Sequence, residues 1–476
     1  MSSEREVIPD VLADRYASAA MVAIWSPRAK VILEREFWIA VMRAQRGLGL
    51  DIPAEAVDAY ERVKGDVDLD RIRARERVTR HDVKARIDEF CALAGYEEIH
   101  KGLTSRDLTE NVEQLQVLRS LQLLRVKYAG CIGRLADRVV QFRAIALTGR
   151  THNVPAQATT VGKRLATFGS EMLHAFGALE DLLARYPLRG LKGPVGTQLD
   201  LLTLFEGDAA KVAALEAGIA EALGFSQVMG VVGQVYPRSL DLEVVSLVVQ
   251  LAAGPSSFAY TLRLMAGHDL AAEGFQAGQV GSSAMPHKMN SRSCERINGL
   301  RGVLGGYLAM TSELAGGQWN EGDVSCSVVR RVALPGAMLA IDGLLETLAT
   351  VFGEMEVFSG VVEAERLRLA PFLASTTVLM AALKRGAGRE TAHAAIKEHS
   401  VAAANAIRVG TAPALAQRLA SDPRVGLTPE LIEQAMTMDG RFLGAAVAQA
   451  DAFVVAARDL IRRIPGAADF APGRIL

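Results

Sequence analysis

Apolar residues recur at three- and four-residue spacing through most of this 476-residue chain, the period that places side chains on one face of an α-helix. Leu121, Leu124, Tyr128, Ile132, Leu135, Val139 and Phe142 form one stripe and predict a long helix over about 106–147. Leu165, Phe168, Met172, Phe176, Leu179 and Leu183 form a second, stopped by Pro187. A third runs from Leu240 through Val245, Leu247 and Leu251 to Leu262, with a kink expected at Pro255, and a fourth covers 331–353. Helices this long must bury their stripes against one another. The pattern predicts an all-α protein of three helical domains: a central long-helix bundle over 105–357, flanked by shorter helices over 1–104 and 358–476. A coiled-coil scaffold without chemistry would show the same stripes.

Composition agrees, since Ala and Leu dominate and aromatics make up only 5%. Lys plus Arg total 53 against 54 Asp plus Glu, a net charge of −1 with no general attraction to nucleic acid or anionic membrane. No uninterrupted apolar run approaches the ~20 residues of a membrane span. The longest, VVSLVVQLAAG at 244–254, ends at Gly254-Pro255. The start, MSSEREVIPDVLADRYAS, lacks the basic and apolar regions of a signal peptide. Cys91, Cys131, Cys294 and Cys326 show neither a CxxC pair nor metal-ligand spacing, which fits a reducing compartment. The expectation is a soluble cytoplasmic protein that recognises a small substrate locally.

Chemistry concentrates where the helical pattern breaks. In GQVGSSAMPHKMNSRSCER (278–296), glycines and serines let backbone N–H groups converge on an anion, and Lys288 and Asn290 add a cation and an amide. An elimination needs such an assembly: removing a proton beside a carboxylate makes a dianion that aimed donors stabilise. Ser282 is a candidate base there; an ordinary surface linker is the plain alternative. GRTHNVPAQATTVGKR (149–164) presents His152, and histidine is the residue type suited to giving a proton to a departing nitrogen, although a lone loop histidine is common. In HKGLTSRDLTEN (100–111), Thr104 and Ser105 precede the longest helix, where they cap it and where orphan N–H groups bind carboxylates. RHDVKARIDEF (80–90) opens a helix with Val83, Ile87 and Phe90 on its apolar face, which sets Arg80, His81 and Asp82 at its start.

GSSAMPHKMN resembles the GSSxMPxKxN loop of the fumarase–aspartase superfamily, which includes argininosuccinate and adenylosuccinate lyases. THNVPAQATT, GLTSRD, VVGQVYPRSLD (231–241) and QWNEGDVSCSVVRR (318–331) are similar to further segments of that superfamily. The resemblance implies three helical domains, a homotetramer with active sites built from three subunits, and fumarate release without metal or organic cofactor. It assigns Ser282 as base and His152 as acid, with Thr151 beside it. Lys288, Asn290, Thr104, Ser105, Gln234, Arg296, Ser327 and Arg331 become substrate contacts, together with Arg80, His81 and Asp82. RHDV, and Arg15-Tyr16 in LADRYAS, resemble the adenylosuccinate lyase branch, where the latter pair holds the nucleotide phosphate. That branch implies two purine substrates, adenylosuccinate and the succinyl-aminoimidazole-carboxamide ribotide. An arginine fork suits phosphate, which the rival argininosuccinate lacks. A non-catalytic scaffold homologue is the other alternative. Two positions depart from the pattern: Ser291 stands where proline commonly follows the asparagine, and Gly322 where many relatives carry arginine. Arg330 or Arg15 is expected to compensate.

Overall fold

The computed structural model describes residues 8–275, 284, 285, 287–437 and 440–473. Helix accounts for 68% of the described residues, which places the protein in the all-α class. Its axis is the 38-residue helix Ser105–Phe142. A capping box starts that helix: the Thr104 N–H donates to Asp107 Oδ2 at 2.8 Å, satisfying a donor the first turn cannot. Leu121, Leu124, Tyr128, Ile132, Leu135 and Val139 are all fully buried, so the stripe read from the sequence is the core of the bundle. Val161–Arg185, Ser239–Leu251, Ala253–Ala266, Arg292–Leu314 and Ser325–Glu354 complete that core. Ala446–Arg463 returns to it from the far end of the chain, where Gly169 leaves the space that the Phe453 ring fills. A second apolar cluster, from Val378 to Ala435, lies apart from the first.

Several elements differ from expectation. The long helix stops at Phe142, not 147, because the chain turns into an antiparallel hairpin, Ala146–Thr151 with Val154–Thr160. The third stripe is two helices broken at Ala252, so Pro255 kinks nothing. It falls in the first turn of Ala253–Ala266, where a missing N–H costs no intrahelical bond. The fourth helix begins six residues early, at Ser325.

Three stretches, Ser239–Ala266, Ser325–Glu354 and Ser359–Lys384, are long and apolar enough, by length and composition, to cross a membrane. A search for uninterrupted apolar runs misses them because scattered Ser, Thr and Gly barely lower the average. The apolar windows of the first two are 61% and 89% buried inside the protein, as a bundle core requires, and that of the third 28%.

Candidate functional site

Three segments distant in sequence meet at the start of the long helix. Arg80 ends Leu69–Thr79 in the left-handed conformation, and His81 then caps Asp82–Ala94. Its Nδ1 accepts the Lys84 N–H at 3.3 Å, which turns Nε2 toward Ser105 Oγ, 3.5 Å away. Asp82 accepts from Val83 N–H and Arg86, with the Arg331 guanidinium 4.0 Å off. Burial opposes ionisation of Asp82, but Arg86 and the Val83 N–H outweigh it and hold the carboxyl below its ordinary range. Ser327 accepts from Arg106 at 2.9 Å, and the Gln234 N–H donates to the Glu321 carbonyl at 2.7 Å. Arg80, His81, Asp82, Thr104, Ser105, Gln234, Ser327 and Arg331 thus lie on segments tied to one another.

Beneath them is a buried ionic network absent from the sequence reading. Glu110 accepts from Arg238 at 2.6 Å and from Arg330 at 3.2 Å, while Arg330 also reaches Asp241, Glu113 and the Tyr236 hydroxyl. Arg330 is 1% exposed. Burial works against its charge, and Tyr236, Glu113, Asp241 and Glu110 keep it ionised. It therefore cannot replace the arginine missing at 322, contrary to expectation. Asp107 joins the same floor, accepting from Arg189 at 2.7 Å and from the Lys192 N–H at 2.8 Å. The spacing of Asp107, Glu110, Asn111 and Gln114 was the available signal: four polar side chains crowd the buried face of the first turns, whereas the buried positions from Leu121 onward are apolar apart from Lys127.

The remaining candidates sit elsewhere on the chain. Tyr16 packs against Gly343, where an added Cβ would lie 2.7 Å from the Tyr16 Cβ. The Arg296 guanidinium lies 5.4 Å over the Tyr16 ring. Burial lowers the pKa of Arg296, and the nearby charges of Arg15 and Arg292 push the same way against Tyr16. These residues make a second, cationic group. Ser327 and Gly343 share one helix and stand about 24 Å apart along it. Within one chain Arg15 is therefore not beside position 322. Lys288 and Asn290, with His287 and Ser291, border a cavity of about 690 Å³ against Tyr260 and Asp269. Ser282 lies outside the described residues. His152 is exposed at the hairpin turn, with φ 52°, next to Asn153 with φ 60°.

Length separates His152 from the first cluster. The Ser105–Phe142 helix is about 55 Å long at ~1.5 Å per residue. The segment from Phe142 to His152, fully extended, spans at most about 35 Å. Within one chain His152 thus stays at least about 20 Å from Ser105.

Residues 16–306 match the family model described as lyase, and residues 371–453 match adenylosuccinate lyase C-terminus. The chain is 34% identical to adenylosuccinate lyase of Saccharomyces cerevisiae, with 83% of each chain covered. It is 32% identical to that of Schistosoma mansoni, with 95% of each covered. Among solved structures, 3-carboxy-cis,cis-muconate lactonizing enzyme from Pseudomonas putida superposes with TM-score 0.80 and 19% identity, covering 95% of this chain and 100% of that one. Fumarate lyase from Mesorhizobium sp. BNC1 gives 0.79 and 20% identity over 94% of this chain and 100% of that one. The two structures speak for the fold alone. The chain belongs to the lyase family that the long-helix bundle and the segments above define. Within that family it groups with the adenylosuccinate lyases.

Proposed function

We propose that the site cleaves adenylosuccinate to AMP and fumarate, and the succinyl-aminoimidazole-carboxamide ribotide to the carboxamide ribotide and fumarate, by β-elimination across a C–N bond. Ser282 takes the Cβ proton. The electron pair moves onto the adjacent carboxylate, whose second negative charge Lys288, Asn290 and loop N–H groups hold. The C–N bond then breaks, and His152 gives a proton to the leaving nitrogen. The substrate's own carboxylate is the electron sink, so the reaction asks for no metal or organic cofactor.

One observation carries this reading: His81, Ser105, Ser327 and Arg331 converge on the N-terminus of the longest helix, where orphan N–H groups favour an anion. Arg15, Arg292 and Arg296 around Tyr16 suit a phosphate, which favours a nucleotide over argininosuccinate.

The site is shared between copies of the chain in a homotetramer. The ~20 Å backbone minimum between His152 and Ser105 supports this, because groups that act at one C–N bond and the carboxylate next to it have to lie closer together than that. Exposed apolar residues support it too: Val324, Val328 and Val332, at helical spacing, are 63%, 69% and 50% exposed. The enzyme works in the cytosol, where its four free thiols stay reduced. Domain limits fall near residues 104 and 357, with Ala446–Arg463 packing back on the bundle.

The test is fumarate release measured with adenylosuccinate and, separately, with argininosuccinate. Fumarate is expected from the first alone. Release from argininosuccinate alone, or from neither, would overturn the reading.

A further inference from the structure

The 318–327 loop reaches the first cluster carrying Glu321 and Asp323 but no cation of its own. Gly322 stands where the family resemblance places an arginine, and its backbone has no room for one. Its φ is 126°, and a Cβ there would lie 2.7 Å from Val235 Cγ2. Arg330 is locked in the buried network, and within the same chain Arg15 stands beside Tyr16, far along the Ser325–Glu354 helix.

Arg106 brings a guanidinium to this loop from another element. Its Nη2 donates to Ser327 Oγ at 2.9 Å and its Nη1 to Glu110 Oε1 at 3.1 Å. The side chain is 14% exposed, so the charge is fixed in place. Ser325 first, and then Arg106, hold the Asp323 carboxyl below its ordinary range, which puts that charge beside the loop. Glu110 does not neutralise Arg106 alone, since it also serves Arg238 and Arg330. A guanidinium has five N–H donors, and the two protein partners leave others for a ligand. Arg106 also follows Ser105, within reach of whatever the helix N-terminus holds.

We infer that Arg106 is a substrate-binding residue whose guanidinium takes an anionic oxygen group of the substrate, phosphate or carboxylate, in place of an arginine at 322. The inference rests on the proposed reaction. A pinned guanidinium holds ground state and transition state about equally, so its loss acts mainly on KM.

The experiment compares wild type, Arg106→Lys and Arg106→Ala by kinetics with adenylosuccinate, by calorimetric binding of AMP and of fumarate, and by thermal unfolding. Arg106→Ala is expected to raise KM on the order of tenfold or more with kcat nearly kept, and Arg106→Lys to recover part of it. A matching loss of AMP binding assigns the phosphate; a loss of fumarate binding assigns the carboxylate. Unchanged KM together with unchanged AMP and fumarate binding overturns the inference, whether or not the unfolding temperature falls. A wild type that makes no fumarate sinks the proposed reaction instead, and the two binding measurements still decide Arg106.

Discussion

His152 is exposed, at positive φ, in the turn of a hairpin. Replacing it should therefore touch chemistry and not folding. His152→Gln is expected to lower kcat ~10²–10⁴-fold, as loss of a general acid does, while KM and unfolding temperature stay near wild type. A variant that keeps most of its turnover would pass the role to another group, with His81 the next candidate. Arg330 and Arg331 make the opposite comparison. Arg330→Met strands Glu110, Glu113 and Asp241 in the interior, and breaking such a buried ionic set costs roughly 3–5 kcal/mol. Arg331 is mostly exposed and 4.0 Å from its nearest acid, so Arg331→Met should change stability by less than about 0.5 kcal/mol while weakening substrate binding. Denaturant unfolding of the two variants checks the contrast, and equal stability losses would contradict it.

At the scale of elements, legibility followed how local the signal is. The long helix was readable from Leu121 to Phe142 because its partners lie on its own face at fixed spacing. The hairpin after it was not, since pairing Ala146 with Thr160 is a non-local choice that no periodicity announces. Arg292–Leu314 was missed because Gly299, Gly302, Gly305 and Gly306 dilute its pattern. Cys294, Ile297, Leu300 and Leu304, all buried, did carry the signal. The motif-bearing breaks were legible as strings, and the structure shows what positions one of them. The turn before Thr104 is fixed by His100, whose Nδ1 accepts the Trp38 indole N–H at 3.0 Å. Burial pushes the His100 pKa down from 6.5 to about 4. In the unfolded chain that histidine takes up a proton below about pH 6.5, whereas the folded protein holds it neutral. The unfolded state thus binds more protons in this window, and stability falls as pH drops from 6.5 toward 4. His100→Gln should flatten that slope, measured by chemical denaturation across the range. Identical slopes would remove His100 from the acid response.

At the scale of the whole molecule, one chain holds its candidate residues in separate places. His81 and Ser105 lie at one end of a helix about 55 Å long, and the His152 hairpin follows its other end. Tyr16 and Arg296 lie about 24 Å along the Ser325–Glu354 helix from Ser327. The proposed assembly of several copies would make these fragments one site, and the exposed Val324, Val328 and Val332 stripe offers surface for it. Subunit mixing tests this most directly. His81→Gln and His152→Gln chains, each first shown to release fumarate from adenylosuccinate far more slowly than wild type, are unfolded together, refolded as an equimolar mixture and assayed for fumarate. The account predicts that activity returns in the mixture, because some hybrid sites draw His81 from one chain and His152 from another and so contain both native residues. A mixture as inactive as its parents, with hybrid oligomers demonstrated, would place both histidines of a site on one chain and contradict the account.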